Sequence, residues 1–222
     1  LLTKMPVAGK ITFTKKTDVL GTTDFTLSNG VTITFKHTDF KNDQVLMSAI
    51  RPGGKNTYGI RAQYNAEYMI SVISSMGIGE FSPVDLKKAL SGKTVSVNPS
   101  FSANSEGFSG SSSLKDVESM MQLIYLYGTS PRVDTTLFRS FIQKNKAQLA
   151  FLSANPQVVF IDSLFKVLYH HSPLAPISVP KPEYFNDLNL DRIMQMYKEN
   201  FKNDNCFFFQ MSEGYCLVSF DY

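Results

Sequence analysis

Apolar and polar residues alternate through the first fifty positions, and then the period changes. Thr23-Asp24-Phe25-Thr26-Leu27 and Val31-Thr32-Ile33-Thr34-Phe35 each repeat every second residue, on either side of Ser28-Asn29-Gly30. Alternation flanking Asn-Gly predicts a β-hairpin, because both residues tolerate the positive φ of a tight turn. A third strand is predicted from Gln44 to Arg51, ending at Pro52-Gly53-Gly54. Between Ile60 and Met76, Tyr64, Tyr68, Ile70, Val72, Ile73 and Met76 make a broad helical face, closed by Gly77. Ser82-Pro83-Val84-Asp85 then reads as a helix start, with Ser as N-cap, Pro in the first turn and Asp in place of the capping-box Glu. That helix stops at Gly92.

Alternation returns at Thr94–Phe101 and Glu106–Ser111, which should pair antiparallel around Ala103–Ser105. Helices are predicted over Leu114–Tyr127, Asp134–Leu152 and Pro156–Tyr169. A proline-rich stretch, His171 to Pro182, leads to a last helix at Leu190–Phe201 and a strand at Cys206–Met211. Residues 1–20 read as an entry linker with room for a short strand at Ile11–Thr14, and 21–222 as one domain. The tail after Phe209 reads as a divergent hairpin or a truncation. Hairpins outnumber single-helix crossovers, so the fold class is α+β, a mostly antiparallel sheet with helices packed on one face. A doubly wound parallel sheet is excluded.

Composition narrows the function classes. Over 222 residues, 43% are apolar and 18% charged, a globular balance. Basic and acidic residues number 22 and 19, too even to demand a nucleic-acid partner, and no basic stretch is interleaved with stacking aromatics. No apolar run approaches the roughly 20 residues that span a bilayer. Two cysteines, Cys206 and Cys216, make neither a disulfide framework nor a zinc cage. Neither register of a hairpin turn at Ser212-Glu213-Gly214 brings their sulfurs together. The chain begins with neither methionine nor a signal peptide and reads as a mature product or a piece of something longer.

Most candidate chemistry fails on inspection. Gly92-Lys93-Thr94 resembles the end of a phosphate loop, but Lys87 stands where the motif needs its first glycine, and the segment follows a helix. Gly107-Phe108-Ser109-Gly110-Ser111 lacks the last glycine of a nucleophile elbow. Only three histidines exist, His37 and the neighbours His170 and His171, and adjacent histidines do not chelate from one helix face. Asp85, Asp116, Glu118, Asp134, Asp187 and Asp191 fall at helix starts, where acids complement the helix dipole.

An ordered series of segments nonetheless resembles one family. It comprises Leu27-Ser28-Asn29-Gly30-Val31, Lys36-His37-Thr38-Asp39-Phe40-Lys41 and Pro52-Gly53-Gly54 before a helix. Gly92-Lys93-Thr94-Val95-Ser96-Val97, the run Glu106 to Ser113, and Leu123-Ile124-Tyr125-Leu126-Tyr127 with Pro131-Arg132 complete it. The chain resembles a homology domain of the pitrilysin/insulinase zinc metallopeptidases, in particular the large bacterial members, from about Gly9 to Phe209. That family carries an inverted His-x-x-Glu-His zinc motif on the first long helix after the opening strands. Here the nearest match is Tyr64-Asn65-Ala66-Glu67-Tyr68, with tyrosine at both histidine positions, and no histidine occurs between Thr38 and Tyr169.

The resemblance therefore implies a non-catalytic domain with no catalytic residue, no metal ligand and no assigned substrate-binding residue. Zinc is expected only in the catalytic half of a full-length protein. The implied partners are that half, in the same polypeptide or a partner subunit, and peptide substrates enclosed in a chamber; no nucleic acid and no membrane span are implied. The bacterial periplasm or cell envelope is the implied location. The alternative is a non-enzymatic scaffold or peptide-binding protein that retained the peptidase fold.

Overall fold

The computed structural model describes residues 1–7, 9–39, 41, 43–152, 155–172, 175, 177, 179–201 and 208–213. Strands β1 (Ile11–Thr17), β2 (Thr22–Leu27), β3 (Thr32–His37), β4 (Val45–Pro52), β5 (Val95–Phe101), β6 (Ser105–Ser112) and β7 (Phe208–Glu213) form one sheet. It has seven strands in the order β1-β2-β3-β7-β4-β6-β5. Every neighbouring pair is antiparallel except β3 and β7. The helices are α1 (Gln63–Met76), α2 (Pro83–Ala89), α3 (Val117–Thr129), α4 (Thr135–Leu152), α5 (Pro156–Leu168) and α6 (Leu190–Phe201). This is the α+β class that the alternation predicts.

Local chemistry places most of these boundaries. The β2–β3 hairpin turns at Ser28–Gly30, where Gly30 takes a φ of 84° and Asn29 Oδ1 accepts from the Val31 N–H at 3.2 Å. Ser82 caps α2, its Oγ accepting from the Asp85 N–H at 3.2 Å and donating to Asp85 Oδ2 at 2.6 Å. Asp134 caps α4 by accepting from the N–H groups of Thr136 and Leu137, both at 3.0 Å. Those bonds and Arg132 hold its carboxyl below the usual range.

Two elements extend the sequence reading. The short strand expected at Ile11–Thr14 runs on as β1 through Lys15 and Lys16 to Thr17 and pairs with β2 along its length. Its polarity misleads because β1 is the sheet's edge, where lysines guard an open ladder against pairing with another chain. Among the described residues the final strand, expected at Cys206–Met211, covers Phe208–Glu213 and lies between β3 and β4, joining the two halves of the sheet. Cys206, Cys216 and the tail beyond Glu213 lie outside the described residues.

The helices cover only one face. Val45, Met47 and Ala49 of β4, Val97 of β5 and Phe108 of β6 point inward, while Ser48, Ser96, Asn98, Ser100 and Ser109 face outward and are exposed. Against the inner face pack Met69, Val72, Ile73 and Met76 of α1, Met120 and Leu123 of α3, and Ile193, Met196, Tyr197 and Phe201 of α6. Buried methionines recur because their unbranched side chains fill irregular gaps between helix and sheet. Gly107 of β6 must lack a side chain, since a Cβ would stand 1.9 Å from the Ala49 carbonyl oxygen.

At the far end of β4, a charge is buried on purpose. Glu106 on β6 is directly opposite Arg51 on β4, and its carboxylate, wholly inaccessible, pairs with the Arg51 guanidinium. Its second oxygen accepts from the Gly54 N–H at 3.4 Å. Removing one partner of a buried pair strands the other charge. Glu106→Ala is expected to lose roughly 3 kcal/mol of stability, read as a lower urea midpoint at unchanged slope. A midpoint within error of the parent would contradict this role.

Candidate functional site

The chain enters α1 through a set of turns fixed by the β5–β6 hairpin. The N–H groups of Lys55 and Asn56 donate to the carbonyls of Ser102 and Ala103 at 2.8 and 2.9 Å. Gly54, with φ of 88°, fits there only without a side chain, because a Cβ would meet the Ser102 carbonyl at 2.5 Å. Lys55 then reaches forward and its Nζ pairs with Glu67 Oε2 at 2.6 Å. The motif-like segment Tyr64–Tyr68 therefore begins in a rigid setting.

Each of its residues has a structural occupation. Tyr64 stacks on Tyr184 with centroids 4.2 Å apart and planes at 15°, and Tyr68 lies 4.6 Å from the buried Phe185 ring. Phe141 of α4 packs on the same Phe185 at 6.2 Å. Asn65 is buried and braces the start of α6: its Oδ1 accepts from the Asn189 N–H at 2.8 Å and its Nδ2 donates to the Asp187 carbonyl at 3.3 Å. Asn189 in turn caps α6 through the Arg192 N–H at 2.9 Å.

This donor set does not fit a zinc ion. The face offers two phenols and one carboxylate, with no imidazole or thiolate. Burial, then the nearby Glu67, pushes the Tyr68 phenol up to about 12, and burial raises that of Tyr64 as well, so both stay protonated near neutrality. Among the described residues, no group of three or more His, Cys, Asp or Glu is arranged to hold a metal.

The other candidates are scattered. His37 ends β3, whereas His170 and His171 follow α5 with φ of 49° and 56°, closing that helix through bonds to Val167 and Lys166 carbonyls. Ser109 is exposed on the outer face of β6. The Gly92–Thr94 turn is closed internally, with Asp116 Oδ2 accepting from the Thr94 N–H at 2.9 Å and Lys93 Nζ donating to Ser119 at 2.5 Å. A cavity of about 300 Å³ opens beside Tyr64 and Tyr184, bounded across from them by Phe165, Lys166 and His171. The sequence pattern gave no sign of it, because its walls come from segments about a hundred residues apart.

Comparison with known proteins identifies the architecture. No family model and no curated protein matches the chain. Solved structures do. A mutant of the ferredoxin protease FusC, solved in complex with Arabidopsis ferredoxin, matches 96% of this chain with a TM-score of 0.75 at 14% identity. The periplasmic protease PqqL from Escherichia coli matches 97% with 0.74 at 15%, and a protease from Helicobacter pylori 87% with 0.64 at 12%. The chain thus has the fold of a domain found in these protease chains. It spans 23% of FusC, 24% of PqqL and 47% of the Helicobacter protein.

The tyrosines set a pH dependence with a definite sign. Below pH 10 they are neutral in both folded and unfolded chains and add no slope. Between the ordinary value of 10.0 and about 12 the unfolded chain ionises first, so stability falls as pH rises. Among the described atoms the Tyr68 hydroxyl is buried without a hydrogen-bond partner. Tyr68→Phe should therefore be neutral to about 1 kcal/mol stabilising at pH 7, and should flatten the loss of urea midpoint between pH 10 and 12. A destabilised variant with unchanged alkaline slope would refute the assignment.

Proposed function

We propose that this chain is a non-catalytic domain of a zinc metallopeptidase of the pitrilysin/insulinase family. It forms part of the chamber that encloses peptide substrates, while a separate zinc-bearing domain cuts them. One observation carries the reading: in a fold shared with protease chains, the helix face that would bear His-x-x-Glu-His has Tyr64 and Tyr68 packed into aromatic rings and Glu67 tied to Lys55. A carboxylate engaged by a lysine, with no metal-bound water beside it, has nothing to activate.

The open sheet face suits an enclosing wall. Ser48, Ser96, Asn98, Ser100 and Ser109 line its β4–β6 part without charge, while Asp24, Thr34 and Lys36 lie on the same face of β2 and β3, so it presents hydroxyls, amides and a few charges to extended chains of varied sequence. The partner is the catalytic half, in the same polypeptide or a partner subunit. FusC's complex with ferredoxin supports a polypeptide as occupant, and the periplasmic PqqL supports the periplasm or cell envelope as location. Among the described residues, no helix is long and apolar enough to cross a membrane.

The test is cleavage of a fluorogenic peptide by this chain, by the zinc-bearing segment, and by the two mixed. No turnover by this chain and enhanced turnover by the mixture are expected. Turnover by this chain alone, with stoichiometric zinc, would overturn the reading. A mixture no faster than the zinc-bearing segment would leave the scaffold alternative as the better account.

A further inference from the structure

Three stretches of chain close around the cavity of about 300 Å³ beside Tyr64. They are the entry to α1, the end of α5, and the chain returning from α5 as far as Tyr184. The volume lies at the small end of the roughly 300–1,000 Å³ found for ligand pockets. It suits one terminal group better than a length of chain, which would need a way in and a way out.

The walls combine an aromatic part with a donor part. Tyr64 and Tyr184 stack with centroids 4.2 Å apart, and Phe165 and Ile177 extend the apolar surface. Gln63, Lys166 and His171 bring an amide, an ammonium and an imidazole to the same cavity. Asp162 is the one carboxylate among the lining residues, and it is already claimed by Lys166 at 2.8 Å and Lys181 at 3.6 Å. Two lysines against one carboxylate leave that cluster positive, with N–H donors in excess of acceptors. The missing partner is an anion carried on an apolar body.

The backbone leaves its ordinary range at the same place. Helix α5 ends in a Schellman arrangement, in which the His171 N–H donates to the Lys166 carbonyl at 2.7 Å and the His170 N–H to the Val167 carbonyl at 3.1 Å. That motif calls for one left-handed residue, here His170 at φ 49°, where glycine is usual. It does not call for a second, yet His171 has φ 56° and is the residue that enters the cavity wall. Left-handed residues other than glycine cost free energy and concentrate where a site needs them.

We infer that this cavity binds the C-terminal residue of a peptide, its apolar side chain against Tyr64, Tyr184 and Phe165 and its carboxylate taken by Lys166 and His171. A terminal residue places a carboxylate one carbon away from an apolar side chain, which is the pairing the cavity presents. An aspartate or glutamate within a chain offers the charge without that body. The inference deepens the proposed function by naming the part of the peptide that is held, and it rests on that reading for the occupant being a peptide.

Fluorescence anisotropy on the full chain tests it, with a labelled glycine–serine pentapeptide ending in phenylalanine. Saturable binding is expected. Amidating the C-terminus, or ending the peptide in glycine, should weaken it at least about tenfold. Lys166→Met should do the same with an unchanged thermal midpoint, because its partly exposed pair with Asp162 contributes little to stability. His171→Asn, which tolerates the left-handed backbone, should weaken binding about threefold. N-acetylphenylalanine should compete more weakly than the peptide. Equal binding of the acid and amide forms overturns the inference, and so does binding indifferent to Lys166→Met, or no binding up to about 1 mM peptide. Tighter binding of N-acetylphenylalanine than of the peptide also overturns it, since the cavity would then be a small-molecule site. Binding is read on this chain alone, so failure here leaves the cleavage test of the mixture unaffected.

Discussion

The position of everything near α1 depends on one buried carboxylate. Glu106 is taken out of water completely, a cost that only a charge-assisted partner offsets. Arg51 supplies it from the adjacent strand, and the Gly54 N–H takes up the other oxygen. The pair locks the last rungs of β4 against β6 at the point where the chain leaves the sheet. Glycines at 53 and 54 are required there because a Cβ at either would run into the Glu106 carboxylate or the Ser102 carbonyl. With that turn fixed, Lys55 reaches Glu67, and α1 starts in one orientation over the sheet.

From that start, α1 divides its labour by face. The side toward the sheet buries Met69, Val72, Ile73 and Met76 completely. The side toward Tyr184 and Phe185 carries Tyr64 and Tyr68, whose rings pack there. Ring contacts stabilise that face. Asn65, between them in sequence, is spent on holding the entry to α6. On the proposed reading, the face that would bear the zinc motif is occupied by packing and bracing.

Much of the fold was legible because its signals are local. Asn29-Gly30 between alternating strands, Ser82-Pro83 before α2 and Asp134 before α4 each specify a turn or cap within four residues, and the structure has them. What was not legible is non-local. The pairing of Arg51 with Glu106 spans 55 positions, and nothing in either neighbourhood announces it. The insertion of β7 beside β3 and β4 brings the end of the chain into the middle of the sheet. Lys15 and Lys16 hid the second half of an edge strand whose first half, Ile11–Thr14, was expected. At the candidate site, the absence of histidine could be read directly, whereas the rings that pack on Tyr64 and Tyr68 arrive from residues more than a hundred positions away.

The central claim is that the α1 face is a packed aromatic surface and not a metal centre. Competitive titration of the purified chain with zinc against a chromophoric chelator tests it most directly, with the parent compared with Glu67→Ala. The account predicts no stoichiometric, tight uptake of zinc by either protein. One equivalent of zinc bound tightly by the parent and lost on replacing Glu67 would contradict it.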